Sequence, residues 1–198
     1  ERIRLDDSRV DQRLSLGFEA GALDLQPMPG AESVLAVARG TGWGGIAGVL
    51  IFDAGVPRPA ASGWNPWIYR IAFGDTSNTL YGLDYNGTLR RLQLDSQGVA
   101  QDTRPWGFPA ADSGDLVYAG GWVFHGGYAI DVATPKTIGP FAPPGSLMAP
   151  DLANGRVYTL PAYGPRCALR VCDANTLATL GELNIPDARG APGSLRLC

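Results

Sequence analysis

Lysine occurs once, at Lys136, and histidine once, at His125, in a chain of 198 residues. A single histidine excludes triads, dyads and zinc sites that need two imidazoles. The remaining cations are arginines with no cluster among them, and the formal net charge is −3. Nucleic-acid binding therefore has no electrostatic footprint. No apolar run approaches about 18 residues, so no membrane-crossing helix is expected. Three cysteines are too few for a disulfide scaffold. Charged residues make up only 18%. What is present is turn chemistry and core: 27 Gly and 16 Pro suit a many-stranded protein, and 45% hydrophobic residues exclude disorder.

Strand-like runs end on aspartate at a steady interval. RIRLDD, VLIFDAG, LQLDSQG, YAIDVAT and LRVCDAN carry Asp6, Asp53, Asp95, Asp131 and Asp173, separated by 47, 42, 36 and 42 residues. That is the length of four short strands, the repeat of a β-propeller blade. A second marker keeps the rhythm: Leu35, Leu80, Val117 and Val157 fall 45, 37 and 40 residues apart. The expected fold is an all-β propeller of four-stranded antiparallel blades.

Complete blades are expected at about 22–62, 67–104, 107–142 and 147–186. Partial blades at 1–17 and 193–198 favour an arc of a larger propeller over a closed five-bladed ring. Within each blade, second strands are expected near 34–38, 79–83, 116–119 and 156–160. Tyr85-Asn86-Gly87 reads as a hairpin between the second and third strands of its blade. Asn86-Gly87-Thr88 also matches a glycosylation sequon, which the hairpin already explains. The Pro-interrupted VPRPAAS reads as an outermost strand, where proline is tolerated.

The stretch RVYTLPAYGPRCALRVCDANTLATLGELNIP resembles the YVTN-type propeller repeat: a Tyr-containing strand, a hairpin, then apolar-Asp-x-x-Thr and a last strand. DLVYAGG with AIDVAT repeats the pattern. The stretch WIYRIAFGDTSNTLYGLDYNGTLRRLQLDSQGV resembles repeats of large secreted bacterial proteins. The resemblance implies an exported propeller, in a group that includes lactonases, lyases and binding modules. It supplies no catalytic residues for this chain.

The recurring aspartates suggest calcium, but an Asx turn after each third strand explains them with one carboxylate apiece. Only DDSRVD, with Asp6, Asp7 and Asp11, reaches a calcium loop's density. His125, in the hairpin-like GWVFHGG, reads as a packing or surface residue, the alternative being a lone general base. Cys167 and Cys172 lie on one expected strand, roughly 16 Å apart, too far for a mutual disulfide. Either is expected to pair with Cys198 in an oxidising compartment, the alternative being buried thiols.

The five tryptophans carry the functional expectation. Trp43 and Trp122 are assigned to second-to-third-strand hairpins, and Trp64, Trp67 and Trp106 to connections between blades. All then open on one face of a propeller, and the acidic side chains, Asp115 among them, on the other. Tryptophan suits recognition because it joins an apolar body to a polar N–H. The expected function is an extracellular or cell-surface binding and scaffold module for protein or carbohydrate, with no cofactor and no metal. The alternatives are a lactonase- or lyase-like propeller enzyme acting in the central channel, where the first strands offer Asp24, Arg70, Asp112 and Asp151, and a structural subunit of an extracellular assembly that self-assembles or is completed by another chain.

Overall fold

The computed structural model describes residues 2–3, 9–17, 19–41, 46–63, 67–101, 106–107, 114–134, 136–162, 167–185 and 195. Near the N-terminus β1 (Arg2–Ile3) pairs antiparallel with β2 (Val10–Gln12). Among the described residues four antiparallel meanders of four strands then follow in sequence order, the arrangement that forms propeller blades, one of them joined by a further short strand. The chain forms two compact units, Glu1–Asp84 with Arg90–Pro105, and Tyr85–Leu89 with Trp106–Cys198.

The first unit is built on two sheets. One contains β3 (Ala20–Met28), β4 (Ala31–Thr41), β5 (Ile46–Asp53) and β6 (Val56–Pro57). The other contains β7 (Ile68–Phe73), β8 (Thr79–Asp84), β9 (Thr88–Asp95) and β10 (Gly98–Gln101). Alternation fixes which side chains face inward. Ala36, Ala38, Val49 and Ile51 pack with Ile68, Ile71, Leu80 and Leu92 in one buried cluster. β8 is buried at every residue, so TLYGLD is a strand covered on both faces. Pro57 sits on the outermost strand, where its missing N–H costs no ladder bond.

Polar bonds lace these two sheets at both margins. On the first strands, Asp24 Oδ2 accepts the Ile71 N–H at 2.8 Å. On the outer margin the Ala60 N–H donates to the Gln97 carbonyl at 2.6 Å, and the Val99 N–H to the Ala60 carbonyl at 3.1 Å. This approach needs a residue without a side chain at position 98. Gly98 has φ 135°, and the backbone of Ala60 occupies the place of its Cβ. A short β11 (Trp106–Gly107) pairs with Thr88 and Leu89 at the start of β9.

The other two sheets belong to the second unit. They are β12 (Val117–Ala119), β13 (Trp122–His125), β14 (Tyr128–Asp131) and β15 (Lys136–Ile138), then β16 (Leu147–Asp151), β17 (Arg156–Leu160), β18 (Ala168–Asp173) and β19 (Thr179–Asn184). Phe124, Ala129, Met148, Val157, Cys172 and Leu177 form a shared buried cluster.

The third repeat corrects the sequence reading. Residues 117–119 form the first strand of their sheet, and the second is Trp122–His125. The reason is the turn chemistry. Gly120 and Gly121 (φ 52° and 84°) make one tight hairpin, and Gly126 and Gly127 (φ 56° and 94°) make the next. These two Gly-Gly turns therefore enclose a complete strand where the sequence suggests a loop. FPAADS (108–113), the expected first strand, lies outside the described residues. The other expected second strands coincide with β4, β8 and β17.

Candidate functional site

The aspartates are turn builders. Asp53, Asp95, Asp131 and Asp173 are the last residues of β5, β9, β14 and β18, the third strands of their sheets. Asp95 Oδ1 accepts N–H groups from Gln97 at 2.8 Å and Gly98 at 3.0 Å. Asp131 accepts the Ala133 N–H at 2.9 Å and the Thr134 hydroxyl at 2.6 Å. Asp173 Oδ1 accepts N–H groups from Asn175 at 2.9 Å and Thr176 at 2.8 Å, and the Thr176 hydroxyl at 3.0 Å. At Asp131 and Asp173 these bonds favour the charged carboxylate. The Thr134 hydroxyl holds Asp131 below its ordinary range, and the Thr176 N–H and hydroxyl do so for Asp173.

Asp53 differs. It takes a bidentate pair from Arg58, with Nε and Nη2 at 2.8 and 2.9 Å, and the hydrogen bond lowers its carboxyl. Arg58 Nη1 also donates to the Asp95 carbonyl at 2.6 Å, tying the turns of neighbouring sheets together. The regular aspartate spacing does not reveal this clamp.

The polar groups on first strands are engaged locally. Asp24 holds the Ile71 and Leu25 N–H groups, each at 2.8 Å. Arg70 donates to the Leu23 and Tyr69 carbonyls at 3.1 and 3.3 Å, with its guanidinium 5.3 Å from the Tyr69 ring centroid. Asp151 accepts from Asn154 and caps a 3-10 turn at Leu152–Asn154. Asp112 lies outside the described residues. Between β12 and β16 is a cavity of about 210 Å³ lined by Val117–Ala119, Met148–Pro150 and Leu195. Among its described lining residues the one polar side chain is Tyr118, whose hydroxyl accepts the Gly121 N–H at 3.1 Å. Such a lining favours apolar contact over proton transfer.

His125 is buried on β13, only 1% exposed, with Nδ1 3.3 Å from the Asp115 carbonyl oxygen. It is a packing residue of its sheet and not a surface group. Cys167 and Cys172 carry free thiols, and burial raises the Cys172 thiol. Cys198 lies outside the described residues, as do Asp6 and Asp7. Among the described residues no group of three or more His, Cys, Asp or Glu is gathered as a metal site. No helix among them is long and apolar enough to cross a membrane.

The tryptophans divide. Trp67, immediately before β7, is 54% exposed. Trp106 is half-buried on β11, opposite Leu89. Trp122 corrects the expectation. It begins β13 beside the Gly120-Gly121 turn, opposite Asp131, so it stands at the aspartate end of its sheet. Its ring packs partly buried against the Phe124 cluster. The same shift of strands puts Asp115 ahead of β12, at the end expected for tryptophan. Trp43 and Trp64 lie outside the described residues.

Sequence reasoning missed one polar row. Thr159, Arg170 and Glu182 are successive cross-strand partners on β17, β18 and β19. No spacing within a single strand announces it, because only the register of both hairpins brings the three together.

No known family's sequence pattern matches the chain. No curated protein matches it either. Among solved structures, Kuenenia stuttgartiensis hydrazine synthase is similar, with a TM-score of 0.65 and 10% identity over 89% of this chain and 53% of that one. The chain thus spans about half the length of that protein's chain. At this identity the likeness concerns fold alone. With the four meander sheets, it places the chain among β-propeller-like all-β proteins.

Proposed function

We propose that the chain is an extracellular or cell-surface binding and scaffold module of YVTN-type repeats, which recognises a protein or carbohydrate partner through its tryptophan-bearing connections. The carrying observation is Trp67, a large ring left 54% exposed at the entrance to a first strand. An indole held in solvent by a rigid sheet loses little entropy on binding and offers both apolar area and an N–H donor. The enzyme reading has less support, since Asp24, Arg70 and Asp151 are hydrogen-bonded within their own units.

Trp67→Ala is expected to leave the melting temperature nearly unchanged and to weaken capture on a glycan or protein array by about 2 kcal/mol. Destabilisation of about 3–5 kcal/mol, the cost of emptying a core site, would instead make the ring structural and end this proposal. A second reading, the structural subunit, has one observation in its favour. β19 is exposed along its whole length, with Leu180 and Leu183 in solvent, and an open outer strand can accept a further strand. The mass of the native particle tests it: a monomer at high concentration rules out self-assembly.

A further inference from the structure

The strand register gathers a polar cluster that the tryptophan-bearing connections do not include. Thr159 pairs with Arg170 across β17 and β18, and Arg170 pairs with Glu182 across β18 and β19. Directly opposed residues in an antiparallel sheet project to the same side, so the three side chains share one face. Pro143, Pro161 and Ala168 join them around a cavity of about 170 Å³. Neither Trp67, Trp106 nor Trp122 is among its lining residues.

Two features distinguish this cavity. First, Thr159 is fully buried at 0% exposure, and its Oγ1 has no hydrogen-bond partner among the described residues. A buried hydroxyl without a partner is costly, so one in a native fold calls for an occupant. Second, the ions beside it already balance. Arg170 Nη2 lies 3.3 Å from Glu182 Oε2, and Arg170 Nη1 reaches the Phe141 carbonyl at 3.4 Å. These are long, loosely held bonds, leaving the guanidinium and carboxylate able to share a ligand.

We propose that this cavity is a binding subsite for the ring of a neutral, polyhydroxylated ligand, a sugar. An anion would gain Arg170 but meet Glu182, and a cation the reverse. A hydroxyl both donates and accepts, so it can bond Arg170 as acceptor, Glu182 as donor and Thr159 in either sense. Pro143, Pro161 and Ala168 supply apolar surface for the C–H groups of such a ring. The size suits partial entry: a cavity near 150 Å³ holds benzene, so about 170 Å³ takes one edge of a sugar ring and leaves its other hydroxyls in solvent, whereas drug-sized ligands need about 300 Å³ or more.

The test uses free glucose, galactose and N-acetylglucosamine, with acetate and phosphate as anionic controls, read by ligand-observed NMR titration and thermal melting. At least one sugar should bind, neither anion should compete, and Thr159→Val should weaken the sugar about tenfold, the worth of one hydrogen bond. The near-isosteric Thr159→Val should also keep or raise the melting temperature of the ligand-free protein, since it removes an unpaired buried hydroxyl. Glu182→Gln, which leaves Arg170 uncompensated, should weaken the sugar and admit acetate. The proposal is overturned if no sugar binds, if Thr159→Val binds as well as the wild type, if acetate or phosphate occupies the wild-type site, or if Thr159→Val lowers the melting temperature.

Discussion

At the scale of single residues, the clearest lesson comes from Arg58. Its side chain is only 15% exposed and makes three hydrogen bonds, two to the Asp53 carboxylate and one to the Asp95 carbonyl. Bidentate guanidinium–carboxylate geometry is the strong form of a surface ion pair, and the third bond makes it a tie between two turns. Arg58→Ala should therefore destabilise by about 1–2 kcal/mol. Arg58→Lys should recover less than half of that, because an ammonium cannot present the same fork. Urea unfolding midpoints of the two variants decide it: equal stability of lysine and arginine proteins would reduce Arg58 to a simple point charge. VPRPAAS shows only that an Arg lies between two prolines, so this tie is not legible before the fold is known.

At the scale of elements, legibility depends on whether local chemistry and register speak together. The third strands are readable because each ends in Asp, and Asp95, Asp131 and Asp173 serve their own turns while Asp53 holds Arg58. The second strands β4, β8 and β17 are readable because they are apolar and near the expected interval. The third repeat misleads since its strands are short, with three residues in β12 and four in β13, too few to show alternation. Its Gly-Gly turns are equally good markers for either hairpin, and that ambiguity carries Trp122 and Asp115 to the wrong ends. The Thr159–Arg170–Glu182 row is illegible for a related reason: pairing across two hairpins depends on turn lengths that the chain does not declare. The junction at Gly98 is an element-scale feature with a sharp consequence. Gly98→Ala must place a methyl against the Ala60 backbone at φ 135°, a conformation L residues rarely adopt. A loss of roughly 3 kcal/mol or more is expected, the range for overpacking combined with backbone strain. A melting temperature equal to wild type would mean that the Ala60 segment moves aside freely and is no fixed junction.

At the scale of the whole molecule, one device recurs and so becomes a property of the protein. Sheets of both units close their last hairpin on a carboxylate whose protonation is resisted: Asp53 through Arg58, Asp131 through Thr134, Asp173 through Thr176. Each has a folded pKa below its unfolded value, near 3.9 for aspartate. The unfolded chain then binds protons more readily, so the contribution to stability is complete above about pH 4 and disappears as pH falls through the lower folded values. Guanidinium midpoints should be flat across neutral and mildly acidic pH as far as these groups are concerned, and should decline below about pH 4. Replacing Asp53, Asp131 and Asp173 together by Asn keeps a side-chain acceptor for each turn while removing the ionisation. That triple variant should be less stable than wild type at neutral pH and should lose less on acidification. If instead both proteins decline in parallel below pH 4, the acid sensitivity arises elsewhere and the hairpin carboxylates act only as neutral turn acceptors.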